Sequence, residues 1–157
     1  MTKTTKTMSI ARALKEKNRI AGRMNLVRNR IANNNSCETT SKRQFDIDEL
    51  FKESRNLEEN LIIVKAAIAK ANIGIVDKIN KLAELKAEIS WLNNINTREG
   101  KFTEHSYGNQ ITREFTVVIS AGNVVQETEI LQKECEDLQD EIDTYNASHY
   151  IEVELND

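Results

Sequence analysis

The stretch "FDIDELFKESRNLEENLIIVKAAIAKANIGIVDKINKLAELKAEISWL", residues 45–92, decides the fold. Its apolar residues recur at alternating steps of three and four, and twelve of the fourteen seam positions between Ile47 and Leu92 are apolar, the exceptions being Ser54 and Lys78. This spacing is typical of a helix that packs along one narrow seam, as in a coiled coil. It predicts a very long helix over about 46–96. The predicted core or oligomer seam consists of Ile47, Leu50, Leu57, Leu61, Val64, Ile68, Ile75, Leu82, Leu85, Ile89 and Leu92.

Local signals support this helix. Asp46 is a predicted N-cap, and Glu49 follows three residues later in a capping box. A second apolar stripe lies beside the seam and predicts at least two neighbouring helices, from this chain or from copies of it. Gly74 is unfavourable within a helix, so it indicates a bend or a close helix crossing. The stripe consists of Ile62, Ala69, Val76 and Ala83.

The segments on either side complete the predicted architecture. The chain contains no proline, which favours uninterrupted helices. Residues 1–8 are predicted to be a disordered tail, and residues 9–157 a single helical domain. In that domain we expect helices over about 9–33, 46–96 and 123–146, a β-hairpin over about 101–120 and a strand over about 150–155. Ser9 and Asn123 are the predicted caps of the first and third helices. The fold class is therefore mainly α: an elongated antiparallel helical bundle or coiled coil of three helices, with a β-hairpin insertion and a short C-terminal strand.

The charge of the chain is strongly polarised. Residues 1–43 hold 11 Lys and Arg against 2 acids, whereas residues 101–157 hold 3 against 13. The basic first helix and the acidic third helix are expected to neutralise each other, within one chain or between subunits. The alternative is a nucleic-acid-associated protein whose first helix binds phosphates, although that helix lacks interleaved aromatic residues. In either case the contacting cations are Arg12, Lys15, Arg19, Arg23, Arg28 and Arg30.

Few residues indicate chemistry. His105 and His149 have no metal-ligand or nucleophile–base spacing, and Cys37 and Cys135 match no metal motif. We therefore expect no enzymatic activity, no metal, no cofactor and no small-molecule substrate. The chain has no run of about 18 apolar residues and no secretory signal, which predicts no membrane span. The expected location is the cytoplasm or the inside of a phage particle.

The order of segments resembles a known family. "ARALKEKNRIAGRMNLVRNRIANNNS", "LEENLIIVKAAIAKAN", "KLAELKAEISWL", "FTVVIS" and "ECEDLQDEIDTYNAS" are similar to segments of the septicolysin-like family of small bacterial helical proteins. The resemblance covers nearly the whole chain. It implies a helix ending in an Asn-rich turn, a long Leu-rich helix, a short strand and a heptad helix. It brings no catalytic or pore-forming residues to this chain.

Together these features predict a non-enzymatic helical structural or interaction protein. We expect it to self-assemble through coiled-coil seams into a homo-oligomer, as a component of a larger phage or bacterial assembly. Its expected partners are copies of itself and another assembly protein, with nucleic acid as the alternative. The number of subunits and the relative direction of the helices are open at this point.

Overall fold

The computed structural model describes residues 2–106 and 108–156. Four helices make up most of the chain, and two antiparallel sheets of two strands each accompany them. The expected fold class of three helices with one hairpin insertion is therefore wrong. The elements are β1 (Lys3–Ser9), α1 (Ile10–Asn34), α2 (Ile47–Ala71), a 3-10 turn (Asn72–Gly74), α3 (Val76–Leu92), β2 (Gly100–Ser106), β3 (Asn109–Phe115), α4 (Ala121–Ser148) and β4 (Tyr150–Asn156).

The chain divides into two compact units. Unit 1 comprises Met1–Val76 and Asp143–Asp157, and unit 2 comprises Asp77–Ile142. In unit 1, α1 packs along α2, and the sheet formed by β1 and β4 contacts both helices. Alternate residues of β4 are buried, as expected for a strand with one apolar face. The buried core of unit 1 consists of Met8, Ile10, Ala13, Ile20, Leu61, Val64, Ile68, Ile151, Val153 and Leu155.

The N-terminal residues form a strand, which corrects the prediction of a disordered tail over 1–8. β1 pairs antiparallel with β4 in a register that runs from Lys3 opposite Asn156 to Ser9 opposite Tyr150. Its threonines favour extended backbone, and Met8 contributes to the core with 6% of its surface exposed. The partner strand lies at the other end of the sequence, so local patterning cannot reveal this pairing.

The predicted helix over 46–96 is interrupted at the 3-10 turn Asn72–Gly74. The side chain of Tyr145 leaves no room for a Cβ at position 74, which accounts for the glycine there. Its hydroxyl donates a hydrogen bond to the Ala71 carbonyl at 2.9 Å, and a Cβ at Gly74 would lie 2.9 Å from the same oxygen. Of the two alternatives predicted at Gly74, the interruption of the helix agrees with a bend, and α4 approaches this position through the Tyr145 side chain. The caps of α1 and α2 are also confirmed, because the side chains of Ser9 and Asp46 accept hydrogen bonds from backbone N–H groups in the first helical turn.

Unit 2 contains α3, the β2–β3 hairpin and most of α4. Ion pairs join Lys78 to Glu141, and Lys81 to Glu134 at 2.6 Å, so α3 and α4 run antiparallel. The hairpin ends at Phe115, earlier than the predicted residue 120. Its strands Gly100–Ser106 and Asn109–Phe115 pair antiparallel.

The cap of α4 also differs from the prediction. The helix begins at Ala121, and the Ser120 hydroxyl accepts a hydrogen bond from the Asn123 N–H at 3.1 Å. The Asn123 side chain accepts in return from the Ser120 N–H at 3.2 Å. Ser120 is therefore the N-cap, and Asn123 closes a reciprocal box three residues later.

Candidate functional site

The predicted seam lies inside the protein. In unit 1, Leu61, Val64 and Ile68 belong to the core that α1 and the two strands complete. The seam residues of α2 are thus covered by their own chain, not by a second copy. Across the whole seam, the buried residues are Leu61, Val64, Ile68, Ile75, Leu82 and Leu92, and the partly buried ones are Ile47, Leu50, Leu57, Leu85 and Ile89.

The opposite side of α2 carries a second apolar surface. Ile62 and Ala66 flank the fully buried Val64 by two residues, which turns both of them roughly 160° away from the core at 3.6 residues per turn. Exposure reaches 61% at Ile62 and 73% at Ile73. We call this surface the outward stripe; it consists of Phe51, Ile62, Ala66 and Ala69 of α2 and of Ile73 in the 3-10 turn that follows α2, all exposed.

Charged residues flank the outward stripe in a polar order. Glu58 and Glu59 stand before its central part, whereas Lys65 and Lys70 follow in its C-terminal half. Glu58 lies 3.4 Å from Arg28, and Glu59 accepts a hydrogen bond from the Asn156 side chain at 2.8 Å. Nearer the start of α2, Arg55 stacks on Phe51 at 5.3 Å from the ring centre, so acids precede bases around Ile62 and not along the whole stripe.

The cations Arg23 and Arg28 of α1 form ion pairs with acids of α2. Arg23 forms an ion pair with Glu53 of α2 at 2.6 Å, and Arg28 contacts Ser54 and Glu58 of the same helix. Within the chain these cations therefore pair with α2 and not with the acidic helix; pairing between subunits stays a prediction. Apolar packing between helices adjacent in sequence decides the partner, and exposed ion pairs of about 0–1 kcal/mol follow it.

Arg19 stays within its own helix. Its guanidinium binds the Glu16 carboxylate at 2.6 Å. This hydrogen bond lowers the pKa of Glu16 and raises that of Arg19, whereas burial of Glu16 opposes the first effect. Arg30 lies 5.5 Å from the centre of the Phe45 ring. The six predicted contact cations, Arg12, Lys15, Arg19, Arg23, Arg28 and Arg30, are all exposed.

His149, Cys37 and Cys135 each have separate contacts in the described part of the chain. His149 stacks on Tyr145 with ring centroids 3.7 Å apart, and its Nδ1 lies 3.0 Å from the Tyr145 carbonyl. The side chain of His105 lies outside the described residues. Cys135 is buried, and Cys37 contacts the Ser41 carbonyl. In the part of the chain that the structure describes, no group of three acidic, His or Cys side chains is arranged to hold a metal ion.

No helix among the described residues is both long and apolar enough to cross a bilayer. Comparison of the chain with family models, with curated proteins and with solved structures finds no match. The resemblance to the septicolysin-like family stays a prediction.

Asn60 is a functional candidate that the sequence analysis missed. It is buried, with 8% of its surface exposed. Its Nδ2 donates to the Asn156 carbonyl at 2.9 Å, and its Oδ1 accepts from the Asn156 N–H at 2.8 Å. The Asn60 side-chain amide thus forms with Asn156 the two backbone hydrogen bonds that a residue of a neighbouring strand would form. The only signal in the sequence is a polar residue directly before the seam residue Leu61.

Proposed function

We propose that this protein is a non-enzymatic helical assembly protein that self-associates through the outward stripe of α2. One observation carries the proposal: α2 has apolar residues on two opposite sides, and its own chain covers one of them. Large aliphatic side chains aligned on an exposed helix face are typical of an interaction surface. The setting that we propose is a larger bacterial or phage assembly.

The charge order along the stripe favours a second copy of the chain as the partner. In an antiparallel pair related by a two-fold axis close to Ile62, Glu58 and Glu59 of one copy lie beside Lys65 and Lys70 of the other. Each exposed pair contributes about 0–1 kcal/mol, so the charges select the orientation. Burial of Ile62 and Ile73 supplies the stability, at roughly 25 cal/mol for each Å² of apolar surface removed from water.

The test compares the mass of variants in solution by size exclusion with light scattering. The double variant Ile62→Lys with Ile73→Lys is expected to elute with the mass of one 17.9 kDa chain, whereas the wild-type protein has a larger mass. Val125→Lys with Ile130→Lys is the matched control, because both are aliphatic residues of α4, with 56% and 57% exposure. The proposal fails if the double variant associates as the wild-type protein does.

Nucleic-acid binding is a second candidate, and it is favoured by the exposure of the cations of α1. Among the described residues Arg12, Lys15 and Arg30 form no ion pair, so their charge is available to phosphates. A gel shift at low salt tests this function. Binding that is lost when these three residues become Gln supports it, and no shift of DNA or RNA at low salt eliminates it.

A further inference from the structure

β4 has an edge whose backbone groups point away from its partner strand. In an antiparallel pair, the N–H and C=O of successive residues point alternately toward and away from the partner. Both groups of Asn156 bind the Asn60 side chain, so they point away from β1. At the other end, the His149 carbonyl accepts from the Ile10 N–H at 2.9 Å, as the same alternation requires. Tyr150, Glu152 and Glu154 therefore direct their N–H and C=O outward.

These outward groups face a groove between β4 and α2. Its volume is about 590 Å³, and α2 contributes Ile63, Ala66, Ala67 and Ala71 together with the cation Lys70 to its lining. No side chain or loop within residues 2–106 and 108–156 bonds to the outward backbone groups of the three β4 residues. The groove thus combines an unpaired strand edge with small apolar side chains, which is the combination that an added strand needs.

We propose that this edge binds, as an added antiparallel strand, an extended segment of a partner protein in which Lys or Arg alternates with small apolar residues. The side chains of Glu152 and Glu154 are exposed on the outer face of β4. Residues directly opposite them in an added strand share that face, where opposite charge is favourable. The residues in between point toward Ile63 and Ala67.

The same acids disfavour a second copy of β4. Pairing β4 with itself would place Glu152 and Glu154 beside like charges, and such inward or edge charges block pairing between identical strands. Asn60 limits the site on one side, because its amide already occupies the backbone groups of Asn156. The added strand therefore spans Tyr150 to Glu154.

A labelled peptide that alternates lysine and valine over seven residues is the probe, with fluorescence anisotropy as the readout. Methylation of the lysine backbone nitrogens removes the N–H groups that would bind β4, so we expect binding at least tenfold weaker. Methylation of the valine nitrogens affects only groups that point away from β4, so this matched peptide keeps its affinity. Equal affinity of the two methylated peptides overturns the proposal.

Charge reversal in the protein gives an independent arm. The double variant Glu152→Lys with Glu154→Lys is expected not to bind the lysine–valine peptide. It is expected to bind a peptide in which glutamate replaces each lysine. Glu127→Lys with Glu129→Lys changes net charge equally on exposed positions of α4, and it should bind as the wild-type protein does. Equal weakening by both variants shows general attraction to an acidic chain and overturns the proposal. A third result also overturns the proposal: the wild-type protein is a dimer that binds no peptide, and Glu152→Pro dissociates it. A second copy of the chain would then occupy the edge.

Discussion

Replacement of Asn60 by alanine removes the two hydrogen bonds that join α2 to the end of β4. A net hydrogen bond contributes about 0.5–1.5 kcal/mol, so two give roughly 1–3 kcal/mol. Asn156 is partly exposed, and water replaces part of this loss. We therefore expect a destabilisation of about 2 kcal/mol, which lowers the midpoint of thermal unfolding by roughly 4–8 °C for a chain of this size. Circular dichroism during thermal and urea unfolding measures both quantities.

The Asn60→Asp variant separates the two bonds. The new carboxylate still accepts from the Asn156 N–H, but its charge faces the Asn156 carbonyl, so we expect a larger loss than with alanine at neutral pH. Burial and the carbonyl raise the pKa of this carboxyl in the folded state above its unfolded value. The protonated form is thus the stabilised one, and the variant regains stability below the unfolded pKa of about 3.9 and loses it as pH rises through the folded pKa. Wild-type midpoints for both variants would refute the role of Asn60.

Three further changes have defined outcomes. Gly74→Ala should destabilise the protein by about 1 kcal/mol or more, although alanine has the better helix propensity, because the new Cβ would lie 2.9 Å from the Tyr145 hydroxyl. Tyr145→Phe in the same chain should reduce this loss. Urea unfolding of the wild-type protein, the two single variants and the double variant measures the coupling between the two positions. Glu16→Gln should cost less than about 1 kcal/mol at pH 7, because the carboxylate binds Arg19 and its pKa is lowered; the wild-type advantage should disappear as pH falls through that lowered pKa, which urea titrations at several pH values test. Ser120→Ala should remove the cap of α4 at about 1 kcal/mol, whereas Ser120→Asp keeps it, as thermal melts of the two variants compare.

Features set by neighbouring residues were predictable. The caps Ser9 and Asp46 each depend on a hydrogen bond to a backbone group three residues away, and the sequence contains both partners within one helical turn. The second apolar stripe was predicted at Ile62 and Ala69 from spacing alone, because side chains on a helix face recur with a fixed period. The period does not show which of the two stripes the chain buries in its own core.

Features set by distant residues were not predictable. β1 gains its hydrogen bonds from β4 at the opposite end of the sequence. The cations of α1 predicted pairing with the acidic helix α4. Apolar packing instead places α1 against α2, where Arg23 forms an ion pair with Glu53. Asn60 resembles any other polar helix residue until Asn156 lies beside it. The open edge of β4 depends on the long-range pairing of β4 with β1, which no local pattern indicates.

The central claim is that α2 needs a partner for its outward stripe, and sedimentation equilibrium of the unmodified protein over a range of concentrations tests it most directly. We predict a mass that rises with concentration above the 17.9 kDa of one chain at micromolar levels. A mass of 17.9 kDa at every concentration would contradict the account, because Ile62 and Ile73 would then stay in water without a second copy.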